Sequence, residues 1–226
     1  MKIIILIPVY NDFQSASKLI EDINSVISNL NHEFSIIIIN DASTDKSEIE
    51  ISSTDKIKSI KIIKMNENRG HARCNASGLK YIFENEEFDY IIPMDGDGED
   101  RPEEIEKFVE FLKYDNTKPI VGERIKRSEG FIFTLSYNIH KLITYIFTGQ
   151  SIKFGNYTCL PKATVEKMIN EKATWSSFSG SLAKVEKNRS TIPSIRGSRY
   201  FGPSKMSFFN LVKHSLSIIA VFKTNV

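Results

Sequence analysis

Apolar residues in this chain come in two patterns: short unbroken runs, and stretches where they recur every three or four positions. Residues 2–7 are the first apolar run, followed by 34–39, 90–94 and 120–122, and by 60–65, which Lys61 and Lys64 interrupt. Runs of this length without polar alternation predict strands covered on both faces of a parallel sheet. Between them, Leu19, Ile20, Ile23, Val26, Ile27 and Leu30 lie on one helical face, with Ser15 as its candidate cap. A second helix follows Gly70 and runs to about Phe83; a third spans Pro102 to about Tyr114, with proline in the first turn, where its missing N–H costs nothing. Strand and helix alternate to residue 122, which predicts a doubly wound α/β fold, mostly parallel, with right-handed crossovers. The polar turns 8–12, 40–45 and 95–101 each follow a strand, so all three belong to one sheet edge, where open α/β sheets bind ligands.

From residue 123 onward the pattern is less regular. It predicts a helix over 131–147, apolar on most sides, then a loop over 148–161 and a short helix over 164–169. A serine- and aromatic-rich stretch at 175–181 precedes a strand at 191–195 and a basic, glycine-containing loop, Arg196 to Lys205. The last helix, 208–222, sets Phe208, Leu211, Val212, Leu216, Ile219 and Phe222 on one broad face, which favours core packing over a membrane anchor.

Charge changes this picture more than composition does. At 226 residues, 41% hydrophobic and 26% charged, the chain has the make-up of a globular domain with one sizeable core. Its formal net charge of +2 conceals a split. Residues 1–122 carry 14 Lys+Arg against 23 Asp+Glu, a net of −9; residues 123–226 carry 16 against 5, a net of +11. An acidic half that holds a metal and a basic half that faces phosphates or anionic lipid fit this division. No helix-turn-helix or Arg/aromatic module supports a nucleic-acid partner. The two cysteines, Cys74 and Cys159, have no metal spacing and exclude a disulfide scaffold, which suits a reducing cytosol. The opening apolar run is too short for a signal sequence, and no window approaches the roughly 20 apolar residues of a membrane span. Neither a dinucleotide glycine fingerprint nor a P-loop is present.

The stretch with the densest chemistry is Met94-Asp95-Gly96-Asp97-Gly98-Glu99-Asp100-Arg101-Pro102-Glu103. Four carboxylates fall within six positions at the end of a strand. Asp95 and Asp97 point the same way if the strand continues through them. Hard oxygen ligands on such a turn suit Mg²⁺ or Mn²⁺ completed by water and substrate phosphate. The competing reading is a solvated loop at a helix start, where acids favour the dipole.

With the turns in place, the chain resembles family 2 glycosyltransferases of the GT-A fold, above all the branch that moves a sugar onto polyprenyl phosphate, such as dolichol-phosphate mannose synthases. Pro8-Val9-Tyr10-Asn11-Asp12 is similar to that family's Pro-x-Tyr-Asn-Glu, and Asn40-Asp41-Ala42-Ser43-Thr44-Asp45 to its Asp-Asp-x-Ser-x-Asp. Asn68-Arg69-Gly70 resembles its Asn-x-Gly turn, Asp95 to Glu103 its Asp-x-Asp-Leu-Gln-Asp-Pro-Pro-Glu, and Arg199 to Lys205 its Arg-x-x-Gly-x-Ser-Lys. The resemblance covers about residues 3–207.

The resemblance implies a nucleotide site of Pro8, Tyr10, Asp12, Ile39, Asp41, Asn68, Arg73, Asp95 and Gly96, in which Asp41 accepts the base N–H. It implies Asp95, Asp97 and Glu99 as ligands of Mg²⁺ or Mn²⁺, and Asp97, Arg124, Arg199 and Lys205 as the groups that act on the donor and acceptor phosphates. Residues 1–122 become the nucleotide-sugar half, 123–206 the acceptor half and 207–226 a terminal helix. The chain departs from the family at Gly155-Asn156-Tyr157-Thr158-Cys159-Leu160, where Gly-Asp-Phe-Arg-Leu is expected, so an Asp has become Asn156 and an Arg has become Thr158. An acceptor phosphate is already ionised and needs no base; a hydroxyl acceptor requires one such as Asp100 or Glu99. The expectation is an inverting, metal-dependent transferase that uses a nucleoside-diphosphate sugar and polyprenyl phosphate at the cytoplasmic membrane surface. A soluble transferase acting on a saccharide or protein hydroxyl, and an inactive sugar-nucleotide-binding module, stay open, as does a homo-oligomer.

Overall fold

A computed structural model describes residues 1–45, 48–50, 54–126, 152–203 and 220–222, with the side chains of 125 and 126 left aside. Seven strands form one sheet: β1 (Lys2–Val9), β2 (Glu33–Asn40), β3 (Ile57–Lys64), β4 (Tyr90–Pro93), β5 (Ile120–Lys126), β6 (Phe154–Pro161) and β7 (Ser190–Ile195). Their order is β3-β2-β1-β4-β6-β5-β7, and among them β6 alone runs antiparallel to its neighbours. The helices are α1 (Phe13–Ile27), α2 (His71–Asn85), α3 (Glu104–Phe111), α4 (Lys162–Asn170) and α5 (Phe178–Val185), with a 3₁₀ turn at Lys172–Trp175.

The isoleucine-rich runs are buried on both faces because successive side chains alternate. Ile3, Ile5, Ile7, Ile36 and Ile38 meet Leu19, Ile20 and Ile23 of α1 and Phe108 of α3 on one face. Ile4, Leu6, Ile37 and Ile39 meet Leu79 and Ile82 of α2, with Val165 and Met168 of α4, on the other. Helices therefore cover both faces, as the doubly wound expectation requires. The turns after β1, β2 and β4 share one edge, because these strands are adjacent and parallel.

Several local expectations change. Ser15 does not cap α1: the helix starts at Phe13 after Asp12, and the buried Ser15 hydroxyl donates to Asp12 Oδ1 at 2.6 Å. Residues 60–65 do not form a buried strand. β3 is the sheet edge, Ile62 is 51% exposed, and Lys58, Lys61 and Lys64 line the strand, a charge pattern that discourages further pairing. Residues 175–181 join the end of the 3₁₀ turn to α5, whose cap is Ser177.

The largest change is at 148–161, where the second half is a strand and not a loop. Its glycine and polar residues mask the strand pattern, and tertiary pairing overrides that weak propensity. β6 inserts between β4 and β5, so β5 does not extend the parallel series beside β4. The expected helices over 131–147 and most of 208–222 lie outside the described residues. Val221 and Phe222 are buried in a small cluster with Ala183.

Helix α2 approaches β1 unusually closely at Gly78. A Cβ there would lie 2.4 Å from Leu6 Cδ1 and 3.0 Å from Ile39 Cγ1, both fully packed. Gly78→Ala gains about 1 kcal/mol of helix propensity but overpacks this contact at a cost of about 1–3 kcal/mol. The variant is therefore expected to show a lower urea midpoint than the unmutated chain, and an unchanged or higher midpoint would contradict this packing.

Candidate functional site

β4 ends at Pro93; Met94 N still donates to Leu6 O at 2.9 Å, and the chain then leaves the sheet. The acidic turn folds on its own carboxylates: Asp95 N donates to Asp100 Oδ2 at 2.9 Å and Glu99 N to Asp97 Oδ1 at 3.0 Å. Gly98 adopts φ +85°, and a Cβ on it would strike the Tyr200 ring. Because the strand has already ended, period-two alternation does not apply, and Asp95 and Asp97 turn to different partners.

Asp95 faces α2 and β6. Its Oδ1 lies 2.9 Å from His71 Nε2 and 3.3 Å from Asn156 Nδ2, which is itself 3.2 Å from the same ring nitrogen. The β4–β6 register explains the meeting: Ile91 pairs with Leu160, so four further steps along each antiparallel strand bring Asp95 opposite Asn156. Thr158, buried, donates to Asn156 O at 3.0 Å. Burial opposes ionisation of Asp95, but His71, Arg196 and Arg124 outweigh it and hold the carboxyl below its usual range. Asp100, 6% exposed, behaves oppositely: burial and the Asp95 charge push it up to about 8. For His71, crowding by protein disfavours charge, yet Asp95, Asp100 and Asp97 prevail and raise it, although its side chain is 46% exposed.

Asp97 faces the loop after β7. Arg199 Nη1 donates to Asp97 Oδ2 at 2.6 Å, and Nη2 donates to Asp12 Oδ2, so one guanidinium bridges the turns after β1 and β4. Burial and Asp95 raise Asp97, and Arg199 opposes them. The loop is tied down throughout: Arg196 pairs with Glu99, Gly197 N donates to Glu99 O at 2.8 Å, and Tyr200 N donates to Asp97 O at 3.0 Å. Tyr200 OH then reaches α1, donating to Asp22 Oδ2 at 2.6 Å.

The third turn forms the floor beside β1 and β2. Asp41, buried, accepts from the backbone N–H of Arg69 at 2.8 Å and of Gly70 at 2.9 Å, fixing the loop ahead of α2. Asn11, at φ 50°, accepts from Thr44 N at 2.8 Å and so knits two turns together. Gly96 packs against Pro8 O, where a Cβ would sit 3.0 Å away. Ile39 is buried in the core, Tyr10 is 41% exposed, and Asn68 and Arg73 are exposed. The Arg124 guanidinium lies against Gly155. Lys205 lies outside the described residues.

The structure thus brings Asp12, Asp95, Asp97, Glu99, Arg124 and Arg199 to one sheet edge. It does not gather Asp95, Asp97 and Glu99 as one group: among the described residues, no three His, Cys, Asp or Glu side chains are arranged to hold a metal. Each of these acids meets a different cation instead. Asp95 and Asp97 are still hard oxygen donors that suit a dication completed by phosphate oxygens, and such an ion would relieve the Asp95 charge that, after burial, raises Asp97. Sequence reasoning assigned no role to His71, and only its place directly after the Asn68-Arg69-Gly70 turn pointed toward the site. Asp22 and the Tyr200 hydroxyl carried no local signal at all.

Residues 4–174 match the model of glycosyl transferase family 2. Among solved structures, glucosyl-3-phosphoglycerate synthase from Mycobacterium tuberculosis, in complex with Mn²⁺, UDP-glucose and phosphoglyceric acid, superposes with a TM-score of 0.68 at 13% identity, covering 99% of this chain and 79% of that one. S. aureus TarS 1–349 superposes with a TM-score of 0.56 at 14% identity, covering 87% of this chain; its complex with UDP-GlcNAc gives 0.57 at 14% and 89%. The present chain spans 60% of the length of TarS 1–349. At these identities the likeness is one of fold.

The raised Asp100 has a consequence for stability. Between the ordinary carboxylate value near about 4 and its folded value of about 8, the folded state holds a proton that the unfolded state has lost, so stability falls as pH rises. His71, also raised, adds a loss in the same direction above about 6.5. In metal-free buffer with chelator, the urea midpoint of the wild type is expected to drop between pH 5 and pH 8 more steeply than that of Asp100→Asn. Equal slopes would show that Asp100 titrates normally.

Proposed function

The chain belongs to glycosyl transferase family 2 and has the GT-A fold; on that premise we propose that it is an inverting transferase moving a sugar from a nucleoside diphosphate onto polyprenyl phosphate. The observation that carries the acceptor assignment is Asn156. It occupies the place where the resembling family has an acid, and it lies against Asp95 and His71 with an amide that offers no base. The neighbouring carboxylates are committed: Asp97 and Glu99 to arginines, and Asp100, buried, to the Asp95 N–H. A hydroxyl nucleophile needs a base to take its proton; a phosphate monoester oxygen is ionised already. The surplus of basic residues beyond 122 suits such an acceptor. The M. tuberculosis synthase, with phosphoglyceric acid beside its UDP-glucose, provides an example of a phosphorylated molecule bound on this fold.

The step is one displacement. An acceptor phosphate oxygen forms the bond to the anomeric carbon as the bond from that carbon to the diphosphate oxygen breaks. The nucleoside diphosphate leaves with the electron pair, and the configuration inverts. Arg199 matches a diphosphate because its planar fork binds two oxygens at once, as it does now with Asp97 and Asp12. Arg124, and Lys205 beyond the described loop, complete the cationic side. Pro8, Tyr10, Asp12, Asp41, Asn68, Arg73 and Gly96 form the nucleotide side, with Asp41 facing the base; the Ile39 side chain, packed in the core, supports it from beneath and does not line it. Asp95, Asp97 and Glu99 would hold Mg²⁺ or Mn²⁺, which when bound neutralises charge on the departing diphosphate. No helix among the described residues is long and apolar enough to cross a membrane. We place the protein at the cytoplasmic membrane surface through its basic half, with 1–206 as the transferase domain and 207–226 as a terminal helix.

Purified protein incubated with Mn²⁺, a radiolabelled nucleotide sugar and polyprenyl phosphate is expected to yield label that extracts into organic solvent. Asp97→Ala should lower the rate at least about a hundredfold, the scale of removing a charge-stabilising group from an active site. Label that stays in the aqueous phase as a glycan would overturn the lipid-phosphate acceptor. Nucleoside diphosphate release by Asp97→Ala at the wild-type rate would overturn the role given to the acidic turn.

A further inference from the structure

Glu104 opens α3, and only 3% of it is exposed. Its Oε2 accepts from Ser194 Oγ at 2.6 Å, and its Oε1 accepts from Ile195 N at 3.0 Å and from Lys107 Nζ at 3.2 Å. A buried carboxylate is costly unless both oxygens are satisfied, and here both are. The position of its partners gives the contact meaning. Ser194 and Ile195 are the last two residues of β7; Arg196 follows directly, and Arg199 comes after Gly197 and Ser198. On its other side, Glu104 is four residues beyond Asp100, and its N–H donates to Arg101 O at 3.0 Å.

One carboxylate therefore joins the exit of the acidic turn to the root of the arginine loop, 90 positions away in sequence. The far end of the loop has its own anchor, Tyr200, whose hydroxyl binds Asp22 and whose ring covers Gly98. The four residues between, Arg196 to Arg199, have both ends held. β7 also lies beside β5, where Ser194 pairs with Arg124, so the same tether sets a third cation in the register of the site.

We propose that Glu104 is a positioning residue: through Ser194 and Ile195 it holds Arg199 in place for the donor diphosphate. It touches no substrate and takes no proton. The inference rests on the reading above that Arg199 binds the diphosphate.

Calorimetry with UDP and Mn²⁺ tests both, one separately from the other. Glu104→Ala is expected to weaken binding about tenfold, and Arg199→Ala at least as much, with the double variant no weaker than Arg199→Ala alone. Glu104→Gln should restore affinity to within about threefold, because its amide oxygen still accepts from Ile195 N and its NH₂ can donate to Ser194 Oγ. A purely stabilising Glu104 would lower the melting temperature and leave UDP affinity per folded molecule unchanged, which overturns the proposal. Losses that multiply in the double variant overturn it too. Wild-type affinity in Arg199→Ala would instead sink the diphosphate reading of Arg199. If Glu104→Ala does not fold, Ser194→Ala removes one tether; it should weaken binding about threefold, an effect that vanishes in the Arg199→Ala background.

Discussion

Asp95, Asp97 and Asp100 are packed into six residues at the end of β4, in protein rather than in water, and the field they create on one another has to be answered. At separations of a few ångströms and an effective dielectric near about 20, like charges cost kcal/mol each. The structure answers in two ways. Asp100 is pushed up until it holds its proton near neutrality, and the remaining charge is met by His71, Arg196 and Arg199. Those cations come from α2 and from the loop after β7, so the acidic turn is where distant parts of the chain meet.

That balance also suits the edge to the phosphate-binding role proposed above. An arginine fork resting on two carboxylates pairs its charge without ligand, and one of its partners, Asp97, is among the acids proposed to hold a divalent ion. On the reading proposed above, a diphosphate would take the guanidinium of Arg199, and the carboxylate of Asp97 would then be free to hold a divalent ion. Charge stays paired before and after, so neither state leaves an ion buried alone. Glu104 and Tyr200 hold the two ends of the loop that carries this guanidinium.

The antiparallel strand β6 shapes the edge beside the acidic turn. By running against β4 it brings its amino-terminal end to the carboxyl edge of the sheet, which places an amide, Asn156, against Asp95. Had β5 followed β4 directly, as uninterrupted parallel winding suggests, that position would have been elsewhere. The chemistry assigned to the acceptor therefore depends on a topological feature more than on the residue alone.

The unbroken isoleucine runs were enough to read four strands, the two-sided burial and the shared edge of the three acidic turns, because alternation and helical periodicity are local properties. The acidic turn and the arginine loop were legible as motifs for the same reason. β6 was not, since glycine and polar residues gave it no period of its own and its pairing partners lie far along the chain. Nor was the divergence of Asp95 from Asp97, which depends on the strand stopping at Pro93. The tether from Glu104 to Ser194 and the bridge from Arg199 to Asp12 were invisible because each spans 90 or more positions. By itself the sequence determined most of the elements, β6 excepted, and which edge carries the charge. Which charges meet was decided only by the tertiary structure, because Coulomb energy depends on distance in space and not on separation along the chain.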